Sequence, residues 1–235
     1  MRLPNASVTF TTREGGVSEG PYESLNLGIL TDDHPERVTE NRQRAALCAG
    51  VAPARVAMGW QVHGTALKEW NSPPVDLAYA EPGGKDLERV DGHLTRELGV
   101  GLLVLVADCY PVALSDGEQV AMLHCGWRPL AAGIVEKAVE RFGSVPAAAV
   151  GPGIGGCCYE VGEDVLEAFA DIEGAASGRM LDLRRVIAAK LAAVGVSDVQ
   201  HVDACTSCSP ELYFSHRRDN GVTGRQAGII VRDGP

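Results

Sequence analysis

Residues 101–128 read GLLVLVADCYPVALSDGEQVAMLHCGWR, two apolar runs separated by a short polar turn. The pair Asp116-Gly117 is favoured in two-residue hairpin loops, whose central positions both need positive φ. We therefore predict a β-hairpin in which the numbers of opposed residues sum to 233, so that Cys109 faces His124. Opposed Cβ atoms lie roughly 4.5–5.5 Å apart, close enough for a thiolate and an imidazole to share a metal ion or a proton. Pro111 cannot donate to the ladder and indicates a bulge or a sheet edge near Cys109.

The composition bounds the class of protein. A chain of 235 residues with 45% hydrophobic content can bury a sizeable core, and we predict one domain over residues 1–235. The net charge of −10, without a block of Lys or Arg, argues against a nucleic-acid partner. No apolar run approaches the roughly 20 residues that span a bilayer, so we expect a soluble, cytoplasmic protein without a membrane partner. Seven cysteines in a chain with this much core are expected to be reduced thiols.

Periodicity and turn residues predict the other elements. The segment 71–88, with its Pro and Gly residues Pro73, Pro74, Pro82, Gly83 and Gly84, is expected to form a long surface excursion. We expect helices over residues 33–49, 130–142, 163–170 and 182–194, and strands over residues 7–12, 54–62, 147–150, 199–204 and 227–231.

Two histidines and a cysteine carry the predicted chemistry. His63, Cys109 and His124 suit zinc or another borderline metal with a fourth position open to water, as in catalytic zinc sites. The same atoms permit a cysteine nucleophile, Cys109, with His124 as its base and Asp108 or Asp91 orienting the imidazole. A binding module without catalysis is a third interpretation. The residues alone leave the first two open.

The remaining cysteine motifs are predicted to be structural. Cys157 and Cys158 are adjacent, too closely spaced for a zinc knuckle, which uses a CxxC spacing. Cys205-Thr206-Ser207-Cys208 has that spacing, but no second pair accompanies it in the sequence and no redox-type helix follows it. The glycine-rich run 151–156 lacks the features of a phosphate-binding loop and is expected to form a pocket wall.

Eight separated motifs in this order resemble the YfiH family, also described as multicopper polyphenol oxidases or laccases and as purine nucleoside phosphorylases; human FAMIN, laccase domain-containing protein 1, is a relative. The likeness extends from about Ser7 to Val231. The motifs are TTREGGVS, Asn41-Arg42, QVHG, ADCYPV, HCGW, GPGIG with CCYEVG, FSHRRD and TGRQA.

The resemblance implies an α/β (α+β) domain of layered mixed β-sheets flanked by helices, in a fold once grouped with cysteine hydrolases. It implies zinc held by His63, Cys109 and His124, with copper possible for an oxidase. The implied activities are phosphorolysis of purine nucleosides and of methylthioadenosine, deamination of adenosine, and copper-dependent oxidation of phenols. Some bacterial members are linked to removal of serine from a peptidoglycan precursor. We expect a monomer or a weak homodimer.

Site residues follow from the resemblance and from residue type. We predict catalytic roles for Cys109, His124 and Asp108. The predicted substrate pocket contains two arginines, one of which is expected to contact phosphate, together with an amide and a thiol. These substrate-binding candidates are Asn41, Arg42, Arg225 and Cys157.

Two positions depart from the family pattern, which usually has HAGW followed by a further glycine. Cys125 replaces the alanine and adds a possible extra thiol ligand. Pro129 replaces the glycine and is expected to stiffen the start of the following helix.

Overall fold

A computed structural model describes residues 1–75, 78–80 and 87–234. Within them the α-helices are α1 Pro35–Cys48, α2 Trp127–Ala131, α3 Ile134–Val139, α4 Glu163–Glu167 and α5 Leu183–Ala193, with short 3-10 turns at Gly20–Tyr22 and Pro53–Arg55. The strands are β1 Arg2–Leu3, β2 Ala6–Phe10, β3 Val56–Ala57, β4 Leu67–Trp70, β5 Gly92–Thr95, β6 Gly101–Val106, β7 Tyr110–Ser115, β8 Val120–Cys125, β9 Ala147–Val150, β10 Ala176–Ser177, β11 Met180–Leu181, β12 Val199–His201 and β13 Gln226–Arg232.

Two mixed sheets form the centre of the molecule. One has the order β1-β2-β13-β6-β3 and the other the order β12-β9-β7-β8-β5-β4, while β10 and β11 form a separate pair. Alternate residues of each strand point to opposite faces. In β8, Val120 and Met122 pack between the two sheets, whereas Ala121 and Leu123 pack against helices on the outer face.

Three apolar clusters follow from this alternation. The first lies between the six-stranded sheet and α2 to α5, the second lies between the two sheets, and the third lies between the five-stranded sheet and α1. The molecule is therefore layered helix, sheet, sheet, helix, which confirms the predicted layered mixed sheets flanked by helices. None of the described helices has both the length and the apolarity to cross a membrane.

The predicted hairpin exists as β7 and β8, but its register differs from the prediction by two residues. Ser115 pairs with Val120 and Pro111 pairs with His124, so residues 116–119 form a four-residue loop. Gly117 has a φ of 91°, whereas Asp116 has no positive φ and closes the loop by accepting the Gln119 amide on its carboxylate. The first apolar run of the stretch divides into β6 and β7, and β6 joins the other sheet.

Pro111 lies in neither a bulge nor an edge strand. β7 is an interior strand between β8 and β9, and Pro111 is its second residue. Its ring points between the sheets, since a Cβ on Gly228 of the facing sheet would come within 2.5 Å of it.

Three further predictions need correction. The strand predicted over 54–62 shrinks to β3, so His63 lies in a loop, with a φ of 59°. The helix predicted over 130–142 is split into α2 and α3 at Gly133, whose φ of 84° is left-handed. In the segment 71–88, Pro82, Gly83 and Gly84 lie outside the described residues, but Ala78 and Tyr79 are buried. That part of the segment belongs to the core, because Tyr79 packs with α1.

Candidate metal centre and cleft

Three side chains of types that can bind a metal ion meet where the layer between the sheets opens to solvent. One ligand atom from each of His63, Cys109 and His124 lies within 4.8 Å of the other two. Cys109 Sγ is 3.9 Å from His63 Nε2, and the two imidazole centroids are 4.7 Å apart. Two imidazole nitrogens and one sulfur are ligands that zinc and other borderline metals accept. The residues therefore fit a metal ion, as predicted from the sequence.

The hairpin delivers two of these side chains through strand alternation. His124 follows Val120 and Met122 on the face of β8 that points between the sheets. Cys109 precedes β7 and packs against the same inter-sheet cluster. A register error of two residues preserves the face of every side chain, so the predicted meeting of Cys109 and His124 survives it.

Asp91 fixes the loop that carries His63 and orients the His124 ring. Its carboxylate accepts the backbone amides of Val62, His63 and Gly64 at 3.1, 2.9 and 2.7 Å, which fixes the loop that carries the His63 imidazole. The Asp91 Oδ1 atom also lies 2.8 Å from His124 Nδ1. A carboxylate on one ring nitrogen leaves the other, Nε2, for a metal or a proton. Of the two predicted orienting residues, Asp91 therefore has this role.

The charges of the site favour a thiolate beside an imidazolium when no metal is bound. Burial alone would raise the pKa of Cys109, but the charge and hydrogen bonds of the two histidines outweigh it and lower this pKa to about 6. Burial would lower the pKa of His124, but the Cys109 thiolate and the Asp91 carboxylate raise it to about 9. Asp91 keeps a pKa below its ordinary value, because its hydrogen bonds with His124 and the loop amides outweigh its burial.

Gly126 gives the thiol the space it occupies. A Cβ at this position would lie 2.8 Å from Cys109 Sγ and 3.3 Å from His63 Cδ2. The close approach, rather than a special backbone angle, requires glycine here, because φ is −86°.

A cavity of about 460 Å³ opens beside the three side chains. Its size falls within the range of about 300–1,000 Å³ usual for small-molecule sites. Met58, Trp60 and Leu105 give one part of it an apolar surface. Three arginines, Arg128, Arg217 and Arg225, contribute positive charge to the wall.

Asp108 lines the cavity but does not contact His124 through any described hydrogen bond. Its Oδ1 accepts the Thr206 hydroxyl at 2.6 Å and its Oδ2 accepts the Arg217 amide at 2.7 Å. It has a left-handed φ of 90° directly before Cys109. The carboxylate ties three chain segments together at the cavity wall, and its catalytic role stays a prediction.

The prediction that Asn41 and Arg42 bind substrate does not agree with their positions. Both are fully buried in α1 and neither lines the cavity. The Asn41 side chain accepts the Val17 amide and donates to Ser18, Ser24 and Asn26, so its amide group holds the loop before α1.

Arg42 has a comparable structural role. It donates to the carbonyls of Leu27, Ala78 and Tyr79, and its guanidinium lies 5.0 Å from the Tyr79 ring centroid. Burial lowers its pKa to about 10. These contacts tie α1 to the segments around Leu27 and Tyr79, away from the cavity lining.

Arg225 does line the cavity, as predicted. Its NH1 group donates to the carbonyls of Thr223 and Gly224, which fixes the direction of the guanidinium. The predicted substrate-binding residue Cys157 lies outside the cavity, where it joins Cys158 and the CxxC motif that sequence analysis treated as unpaired.

Sequence analysis missed several cavity residues. Arg217 belongs to the FSHRRD motif, which carried the signal, and its guanidinium lies 5.1 Å from the ring centroid of Tyr159. Arg128 follows the HCGW motif and stacks on Trp127. Trp60 offered no recognisable signal, because only the folded loop brings it to the cavity.

The two departures in HCGWRPL have simple structural outcomes. Cys125 is fully buried on the helix-facing side of β8, opposite to His124, and burial holds its pKa well above the ordinary value. It is therefore not an extra ligand of the His-Cys-His cluster. Pro129 lies in the first turn of α2, where a missing amide hydrogen leaves no helical bond unmade.

The fold and the site define a layered α+β protein with a cleft at the end of its inter-sheet layer, where a His-Cys-His cluster could hold a metal ion. The chain belongs to the family described as multi-copper polyphenol oxidoreductase laccase, whose model matches residues 7–233. Proteins named YfiH are among its relatives, which confirms the predicted YfiH-family resemblance.

Two curated relatives are similar over almost their whole length. A Streptomyces coelicolor protein named purine nucleoside phosphorylase is 41% identical over 95% of this chain and 94% of its own length. The protein named purine nucleoside phosphorylase YfiH from Escherichia coli is 37% identical over 94% and 91%. The crystal structure of YlmD from Geobacillus stearothermophilus superposes with a TM-score of 0.87 at 32% identity, covering 98% of this chain and 93% of that one.

Proposed function

We propose that this chain is a zinc-dependent purine nucleoside phosphorylase that also deaminates adenosine and phosphorolyses methylthioadenosine. One observation carries the proposal: the His-Cys-His cluster lies at a cavity of about 460 Å³ whose wall holds three arginines. The names of the relatives from Streptomyces coelicolor and Escherichia coli support the same substrate class.

The cavity offers separate surfaces for the two parts of the substrate. Met58, Trp60 and Leu105 present apolar surface suited to a purine ring, and stacking of a base on an aromatic side chain contributes roughly 1–3 kcal/mol. Arg217 and Arg225 suit a phosphate, because a guanidinium pairs with two oxygens at once. Arg217 is held in place because its NH1 donates to the Glu160 carbonyl at 2.7 Å.

Phosphorolysis exchanges one bond for another at the ribose. A phosphate oxygen forms a bond to C1′ while the C1′–N9 bond breaks. The electron pair of the C1′–N9 bond goes to the purine, which takes up a proton. The products are the free purine and ribose 1-phosphate. The transition state is cationic at the ribose, so arginine-held phosphate on one face would stabilise it electrostatically. Asp108 acts here as a positioning residue, because it holds the Arg217 amide.

His63, Cys109 and His124 would hold the zinc, with Asp91 fixing the His124 ring. When bound, zinc supplies Lewis acidity. Deamination replaces the amino group at purine C6 with oxygen from water and releases ammonia, a reaction for which zinc sites have chemical precedent.

The test is metal analysis combined with product analysis. Wild-type protein is incubated with adenosine, with and without phosphate, and adenine, ribose 1-phosphate and inosine are measured. His124→Ala should lose the metal of this site and both reactions, whereas Cys125→Ala, on the opposite face of β8, should keep them. Deamination that persists in a His124→Ala protein without metal at this site would contradict the assignment.

A cysteine hydrolase acting on an amide, such as one in a peptidoglycan precursor, is the second candidate. The observation favouring it is the Cys109 thiol, with its pKa of about 6, beside His124 and Asp91. Chelation separates the two candidates: a hydrolase using Cys109 as nucleophile keeps its activity after metal removal and loses it on alkylation of Cys109. Copper-dependent oxidation of phenols is the third outcome and would appear only in copper-loaded protein.

A further inference from the structure

Four cysteines form a second cluster outside the cleft. The Sγ atoms of Cys157, Cys158, Cys205 and Cys208 all lie within 4.8 Å of one another. Cys208 Sγ is 3.6 Å from Cys157 Sγ and 3.3 Å from Cys158 Sγ. All four are free thiols, and the cluster lies at the surface.

The fold brings the two cysteine pairs together through neighbouring parallel strands. β9 and β12 pair in parallel, so the segments that follow them leave the sheet at the same end. These segments remain paired beyond the strands, since Gly153 bridges to Cys205 and the Thr206 amide donates to the Gly153 carbonyl at 3.0 Å. Cys157-Cys158 and the CxxC motif, some 50 residues apart in the chain, therefore face each other.

We propose that these four thiols bind one zinc ion as a structural site. Zinc–sulfur bonds of ~2.3 Å in a tetrahedron place the sulfur atoms ~3.8 Å apart. The two distances from Cys208 Sγ, 3.3 and 3.6 Å, are already close to that spacing. The Gly155 amide donates to Cys205 Sγ at 3.1 Å, the kind of contact that stabilises a metal-bound thiolate. As the ion binds, each thiol releases its proton to solvent and no redox change occurs.

The site would brace the wall of the cleft. Thr206 lies inside the CxxC motif, and its hydroxyl donates to Asp108, the residue directly before Cys109. The Thr206 carbonyl accepts from Arg218, in the motif that also carries Arg217. A four-thiolate ion has no position left for substrate, so its role is to fix these segments.

Metal analysis of anaerobically purified, phosphine-reduced protein tests the proposal. Wild type should hold about two zinc ions per chain, and both His124→Ala and Cys205→Ser/Cys208→Ser should hold about one. Cys48→Ser, which changes an exposed cysteine in α1, is the matched control and should keep about two. His63→Ala, at an exposed residue, replaces His124→Ala if that protein does not fold.

Cobalt substitution identifies the ligands independently of zinc content. Cobalt-loaded His124→Ala should keep the intense thiolate-to-cobalt charge-transfer absorption of a four-sulfur site, and the double serine variant should lose most of it. A His124→Ala protein that binds neither zinc nor cobalt, with its cluster thiols fully reactive in the native state, would overturn the proposal. So would a charge-transfer spectrum unchanged by the double substitution.

Discussion

The His-Cys-His cluster and the four-cysteine cluster use similar ligand atoms in different surroundings. The first lies at a cavity, contains three ligands, and has the buried carboxylate of Asp91 behind it. The second lies at the surface and contains four ligands from two paired loops, none of which lines the cavity beside the first cluster. Ligand number separates their chemistry, because a zinc ion with three protein ligands keeps an open position and one with four does not.

Removing Asp91 should damage the first cluster most strongly. Asp91→Ala leaves the buried His124 ring and three part-buried loop amides without their acceptor, and an unsatisfied donor costs about 1–3 kcal/mol where it is buried. We expect the free energy of unfolding to fall by about 4 kcal/mol, together with loss of metal from this cluster. Urea denaturation and metal analysis measure the two effects, and Asp171→Asn, at an exposed carboxylate, is the control. Wild-type metal affinity in Asp91→Ala would show that Asp91 does not support the His-Cys-His cluster.

Acid should destabilise the protein partly through protonation of His93. Because His93 is not part of the His-Cys-His cluster, its effect on the stability of the fold can be measured separately from loss of metal. His93 is fully buried, its Nδ1 accepts the Trp70 indole N–H, and its Nε2 has no partner among the described residues. Burial, with a smaller contribution from Lys68, lowers its pKa from 6.5 to about 4. Between these values the unfolded chain binds more protons, so the free energy of unfolding falls as the pH falls, by about 3 kcal/mol at pH 4.

His93→Asn keeps an acceptor for Trp70 without a titrating group. Metal-free His93→Asn should lose about 3 kcal/mol less stability than metal-free wild type between pH 7 and pH 4, as measured by urea denaturation. The exposed His34→Asn should behave as wild type does. Equal acid destabilisation of wild type and His93→Asn would place the sensitivity elsewhere.

Adding one methyl group at Gly126 should sharpen the contrast between the clusters. The Cβ of Gly126→Ala would press on Cys109 Sγ from 2.8 Å, so we expect metal affinity at the first cluster to fall about tenfold. The four-cysteine cluster should keep its metal. Competition titration with a chelator measures the change, and Gly143→Ala, whose Cβ would meet nothing within 4 Å, is the matched control. An effect shared by both alanine variants would show that glycine is not needed for close packing here.

The smallest effect concerns the contact that joins the two regions. Thr206→Val removes the hydroxyl that donates to Asp108 at 2.6 Å, a loss of about 1 kcal/mol. If Asp108 positions Arg217, the KM for phosphate should rise about fivefold with little change in kcat. Steady-state kinetics test this prediction. The control is Thr39→Val, which removes a hydroxyl on α1 away from the cleft. A change in kcat alone would remove Asp108 from phosphate positioning.

The parts of the site that follow from local pattern were predictable. Cys109 and His124 belong to one hairpin, in which alternate residues of a strand point to opposite faces. The predicted loop was two residues too short, but a shift of two residues leaves every side chain on its predicted face. The helix α1 was predictable for a similar reason, since Pro35 begins it and Gly50 follows it with a φ of 75°.

The parts that depend on distant pairing were not predictable. Membership of a motif suggested that Asn41 and Arg42 were important, but only the folded loops show that they hold backbone carbonyls rather than substrate. The CxxC motif looked unpaired because nothing in the sequence reveals that β12 lies beside β9. Tyr79 was assigned to a surface segment because its partner, Arg42, is 37 residues away.

The four-residue loop over 116–119 fixes the register of β7 and β8, and this register brings His124 to the His-Cys-His cluster at the opposite end of the hairpin. Shortening this loop by one residue would slide β8 by one position against β7 and exchange its two faces. Cys125 would then occupy the place of His124, and the histidine would turn toward the helices. A deletion far from the cleft would thus convert a two-imidazole, one-thiol ligand set into a one-imidazole, two-thiol set, which metal analysis and cobalt spectra would distinguish.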